Sequence, residues 1–354
     1  MPMSEPPGSQ AKRDDAARLL RGAAQRRAVE AEDLFLPERM RLSERERLTA
    51  RALLGRLVRT IEDELRAALA DRFNAHEALH AALASAHVEI AGPAFDGSAA
   101  LEDAELVSLL LRRSEEHRLF LPAQRNGERL QALIADPDSE IAAHAMAVLV
   151  ARSRRLDRFQ EPILARTELP AELQHRLVWT VAATLRAYMV GAHQIDPAAA
   201  DLALGQAAAG LIAGYDEGDG LEARCNRLAQ LLHGARRLDG AAIADFIAEG
   251  TLPLFLAGLS AATGVGYSAV WDLLREPGGR GPVFLLKAAG LSRQEAGSVL
   301  LLLAWQPDDD RLIRQIDLFD ALRDGEAAQA LSLWSLDSAY RDAVLRLDRP
   351  RHGL

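Results

Sequence analysis

Residues 252–303, LPLFLAGLSAATGVGYSAVWDLLREPGGRGPVFLLKAAGLSRQEAGSVLLLL, read as two copies of one design. In each, an apolar helix runs to a Gly-marked stop, and a second helix is entered through a polar cap. Leu259-Ser-Ala-Ala-Thr-Gly264 and Leu286-Lys-Ala-Ala-Gly-Leu291 stand one helical hairpin apart, and stacked hairpins are how helical repeat proteins build a continuous core. Ser292-Arg-Gln-Glu295 adds a capping box, in which the Ser hydroxyl takes the Glu amide and the Glu reaches back.

The rest of the 354 residues agrees with that block. Ala and Leu dominate and aromatics are only 5%, a composition that favours helices over strands. No stretch alternates β-branched residues with period two, so no sheet is expected. After Ser43-Glu-Arg-Glu46, another capping box, a long helix is expected to about Phe73, with Leu48, Leu53, Leu54, Leu57, Val58, Ile61, Leu65 and Leu69 on its apolar face. Shorter helices are expected over 75–90, 103–119, 127–134, 137–152, 155–166, 170–190, 197–213, 219–236 and 240–249, continuing through the opening block to about Leu347. Asp136-Pro137 and Asp196-Pro197 each read as a capping Asp before a Pro at the first helical position.

The order of a small-residue helix, a helix ending Asp272-Leu-Leu274, a Gly278-Gly-Arg-Gly281 turn, an apolar helix with one Lys and then Ala289-Gly-Leu-Ser292 resembles the bacterial domain of unknown function 2336. The resemblance implies a HEAT-like stack and extends as a pattern over residues 40–345. The expected fold is therefore all-α: an irregular HEAT-like α-solenoid of stacked helix pairs with an N-terminal helical arm. Its expected parts are a tail (1–11), the arm (12–36), a repeat body (37–250), C-terminal repeats (251–347) and a second tail (348–354).

Composition narrows the function. The net charge of −9 argues against a broad nucleic-acid footprint, for which the abundance of Arg is the only support. Lys12 and Lys287 are the only lysines. Cys225 is the one cysteine, so neither a disulfide framework nor a Cys-based metal site is expected. MPMSEPPGSQ has no apolar stretch of the kind signal peptides use, and the longest apolar runs, Leu252–Leu259 and Val299–Trp305, are too short to span a bilayer. The expectation is a cytoplasmic protein without membrane or cofactor.

Three groups of residues invite a chemical reading. His76-Glu-Ala-Leu-His80 has the H-E-x-x-H spacing, in which His76 and His80 share a metal one helical turn apart and Glu77 acts as general base. A third ligand is missing locally: His87 lies two turns, roughly 10 Å, beyond His80 on a straight helix, and only Glu102 or Glu105 could come round from the next one. The same residues also read as an ordinary helix start, with Asn74 as cap and Glu77 as its partner. The Gly278–Gly281 loop could turn backbone N–H groups onto an anion with Arg280 adding charge, or simply form a tight turn with Pro282 at the first helical position. Lys287, set among apolar residues, reads either as a groove-facing binding residue or as an amine that snorkels along its stem. Trp179, Trp271, Trp305 and Trp334 fall in apolar helical stretches and are expected in the core, their indole N–H groups bonded to loop carbonyls.

Helical repeats present extended surfaces that hold partners. The expected function is a non-enzymatic adaptor or regulatory scaffold binding a partner protein through a concave or C-terminal surface, with residues 43–73 available to pair with a second copy. The zinc peptidase built on His76, Glu77 and His80 is the enzymatic alternative.

Overall fold

The structure, a computed structural model, describes residues 44–95, 103–123, 128–276, 278–304, 309–323 and 325–347. The expected tails, the arm, Ser43 and Trp305 lie outside them. The helices are α1 (Glu44–Ala70), α2 (Glu77–Ala84), α3 (Gly92–Phe95), α4 (Ala104–Ala123), α5 (Glu128–Ile134), α6 (Ser139–Ser153), α7 (Ala171–His193), α8 (Pro197–Ala213) and α9 (Leu221–Gly234). They continue as α10 (Gly240–Ala248), α11 (Leu252–Thr263), α12 (Tyr267–Leu274), α13 (Arg280–Ala288), α14 (Arg293–Leu303), α15 (Asp309–Ala321), α16 (Glu326–Ala330) and α17 (Ser338–Leu347). No strand occurs among the described residues, so the all-α class holds. The described residues group into two compact units, one drawn from 30–114 and 150–223, the other from 115–149 and 224–354.

In the first unit α1 is the spine. Leu53, Leu57, Ile61, Leu65 and Leu69 recur at helical spacing, are fully buried, and face α2, α7 and α8. Leu48, expected on that face, is instead 59% exposed. Asp196 caps α8 as expected, its carboxylate accepting the Ala199 N–H at 2.9 Å. The helix expected over 155–166 is absent. Asp157 accepts the N–H groups of Phe159 and Glu161 at 2.8 and 2.9 Å, Gln160 takes a positive φ of 65°, and Pro162 has no N–H to give a helix. A single antiparallel bridge, Leu156 to Pro162, forms there instead. Arg113, buried on α4, locks this turn by donating to the carbonyls of Ile163 (2.8 Å) and Arg155.

In the second unit α11 is buried on every side from Leu252 to Leu259, as befits a helix that is apolar all round. It packs on α10, α12 and α13, and α13 is flanked in turn by α14, α15 and α16. Leu285 and Leu286 are fully buried and Trp271 is 1% exposed, so this block forms the core as expected. Ser292 makes the expected capping box with Glu295. Asp136 does not cap α6. Its carboxylate is engaged by Arg237, whose hydrogen bond holds it below the usual carboxylate range, and Asp138 accepts the Glu140 N–H at 2.9 Å instead. No single described helix is long and apolar enough to cross a membrane.

Candidate functional site

The His76–His80 segment begins where α1 ends. A 3₁₀ turn at Asp71–Phe73 prolongs α1, leaving Asn74 with helical dihedrals (φ −58°, ψ −27°), so it cannot serve as the expected cap. His76 takes the cap position without a side-chain bond, and α2 starts at Glu77. His80 donates from Nδ1 to the Ala70 carbonyl at 3.0 Å. His76 and His87 are exposed. No group of three His, Cys, Asp or Glu side chains suited to a metal forms among the described residues.

The helix expected to reach residue 90 stops at Ala84, for a reason that lies in α1. Arg66, 3% exposed, donates to the carbonyls of Leu83 (3.0 Å), Ala82 (2.5 Å), Val88 (2.7 Å) and Ser85. It thereby satisfies two of the open C-terminal carbonyls of α2, Ala82 and Leu83, and two more in the chain just beyond, a task otherwise left to water or a glycine cap. Glu62, one turn earlier and 2% exposed, pairs with Arg66 at 3.3 Å and accepts the N–H groups of Ile90 (3.0 Å) and Ala91 (2.8 Å). A buried ion pair with its remaining bonds filled thus closes the hairpin from within.

The glycine turn of the other unit is also closed by a buried charge, here a carboxylate that takes backbone amides. Glu276, 6% exposed, accepts the N–H groups of Gly278 (2.7 Å), Arg280 (2.9 Å) and Gly281 (3.3 Å). Backbone donors at the start of α13 do converge on an anion, and the anion is the chain's own carboxylate. Gly281 is required because a Cβ there would fall 2.1 Å from the Leu273 carbonyl oxygen. α13 starts at Arg280, two residues before the expected Pro282. The Arg280 guanidinium lies 5.7 Å from the centre of the Phe284 ring. Lys287 is half-buried, with Nζ 4.5 Å from the centre of the Phe319 ring. Its stem runs along the core while its charge rests on an aromatic face. A third buried carboxylate, Glu249, accepts the Arg129 N–H at 2.5 Å at the start of α5.

The tryptophans divide. Trp271 and Trp334 are core residues, but the buried Trp334 indole N–H meets no acceptor among the described residues, and the Arg341 guanidinium lies 4.7 Å from the ring centre. Trp179 is 39% exposed, against expectation. α7 buries Leu173, Leu177, Val181 and Leu185, and Trp179 lies off that stripe. Its indole donates to His175 Nε2 at 3.1 Å.

This indole borders an open groove of about 430 Å³ in the first unit. Leu106, Leu173 and Leu177 form its buried floor, while His175, Trp179 and Thr180 stand on its wall. Arg176 and Asp103 pair across one end, and Asp103 also caps α4 by accepting the Glu105 N–H at 2.9 Å. Sequence reading passed over this site. The available signal was a tryptophan out of phase with the leucines of its own helix, with a histidine one turn before it. An apolar floor under an indole, rimmed by separable charges, can take an apolar side chain of a partner and hydrogen-bond its backbone.

No curated protein and no solved structure matches the chain. Residues 90–332 match the family described as "Uncharacterised protein conserved in bacteria (DUF2336)". That span includes the groove, Glu276 and Lys287 and begins after His76–His80, and the chain belongs to this family.

Proposed function

We propose that the protein is a non-enzymatic helical-repeat adaptor of the bacterial cytoplasm that holds a partner protein at the Trp179 groove. The observation that carries the reading is the Trp179 side chain standing exposed over a floor of buried leucines. Tryptophan is the residue most enriched among those that dominate binding energies, because a large rigid surface is desolvated at small entropic cost. The Arg176–Asp103 pair at the groove's end is exposed on the Arg side and contributes little to the fold. It is available to exchange one partner for another and so to select a charged neighbour on the incoming chain. The buried charges at Arg66 and Glu276 serve helix ends, whereas the groove turns polar and apolar groups outward together.

The test is affinity capture from a bacterial lysate with the wild-type chain and Trp179→Ala, each checked for unchanged helical content. A partner held by the groove is lost, with affinity falling by a factor of about 30 or more. Identical sets of captured proteins from both chains would refute the reading.

A further inference from the structure

Helix α6 carries a second outward face, independent of the groove. It buries Ile141, Ala145, Val148 and Ala151 and turns Ala143, Met146, Leu149 and Val150 to solvent. Met146, Leu149 and Val150 are 45%, 40% and 45% exposed, and their spacing makes one continuous apolar stripe. The stripe's ends carry opposite charges: Glu140 in the first turn of α6 and Arg154 just after its last residue. Both are exposed, and neither side chain forms an ion pair among the described residues.

We propose that this face binds the same face of a second copy of the chain, antiparallel, about a two-fold axis near Ala147. A two-fold interface needs a patch that complements itself. Glu140 and Arg154 lie about 21 Å apart along the helix, with Ala147 midway. Reversing one copy sets each Glu140 against the other copy's Arg154, twice over. It also sets the small Ala143 against the branched Val150 and brings the two Met146 side chains together beside the axis. Parallel pairing would put like charges together. A single helix pair buries an area at the low end for specific complexes, so the association has a dissociation constant on the order of micromolar.

Sedimentation equilibrium of the full chain, from about 1 to 200 µM, tests this. A monomer–dimer equilibrium is expected, abolished by Met146→Glu with helical content unchanged, since the site is exposed. Glu140→Arg and Arg154→Glu each weaken the dimer by about tenfold, and combining them restores it to within about threefold. A chain that stays monomeric over the whole range, or a dimer indifferent to Met146→Glu, overturns the proposal. Single reversals without effect, or a double reversal without rescue, overturn the antiparallel pairing. If dimerisation appears only after deletion of residues 1–43, the chain's own N-terminal segment covers the stripe, and the proposal is equally overturned. Trp179→Ala leaves this equilibrium unchanged, so the groove and the stripe fail separately.

Discussion

The hairpin at His76–His80 and the turn at Gly278–Gly281 carry unrelated motifs, yet each is closed by a buried charge outside the motif. The means differ. The hairpin needs both signs, because one helix ends there and another, α3, begins soon after: Arg66 collects carbonyls at the end of α2 and Glu62 collects the N–H groups just before α3. The glycine turn only has to start a helix, so one carboxylate suffices, aided by the positive end of the helix dipole. An ion pair whose members depend on each other should therefore fail harder, when one member is removed, than a lone carboxylate whose partners are backbone amides.

The largest effect is expected for Arg66→Met, which leaves the Glu62 charge buried without its cation and strips four carbonyls of their donor. The loss should be about 3–5 kcal/mol in urea unfolding. Changing Glu62→Gln in the same chain should recover part of it, and a double variant as unstable as the sum of the two singles would break the idea of mutual dependence. Leu286→Ala, a plain cavity in the core of the other unit, should lose about 2–5 kcal/mol and calibrates the same assay. Glu276→Ala should follow at about 1–3 kcal/mol, the range for stranding buried donors. A loss larger than that of Arg66→Met would reverse the ranking. Lys287→Met is the smallest, within about 1 kcal/mol of wild type, because the stem's packing is kept and only a cation–π contact disappears.

The parts of the fold legible in the sequence were those with local causes. Residues 252–303 declared their helices through apolar periodicity and caps, and Ser292 and Asp196 cap where the residue types say they should. The misreadings arose where a distant residue overrules local preference. Nothing between Ala81 and Ala86 announces a helix end, since the cause, Arg66, sits 17 residues before Leu83 on another helix. The segment 155–166 looked helical until Asp157 and Pro162 were set beside Arg113, 50 residues before Ile163. The candidate ligands were legible as motifs but not in their role, because spacing says which atoms can converge and not which buried charge is already there. Trp179 was misplaced for a simpler reason: it falls in an apolar helical stretch, but its phase against Leu173 and Leu177 puts it outside.

Amide hydrogen exchange reads directly, at five positions, whether internal charges close both motifs. Ile90 and Ala91 bond to Glu62, and Gly278, Arg280 and Gly281 bond to Glu276, although all five lie outside or at the very start of helices. These amides should exchange slowly, protected to an extent approaching the helices they adjoin, and the Glu276 set alone should lose protection in Glu276→Ala. Exchange of all five at the rate of free loop amides in the wild-type chain would contradict closure by these charges.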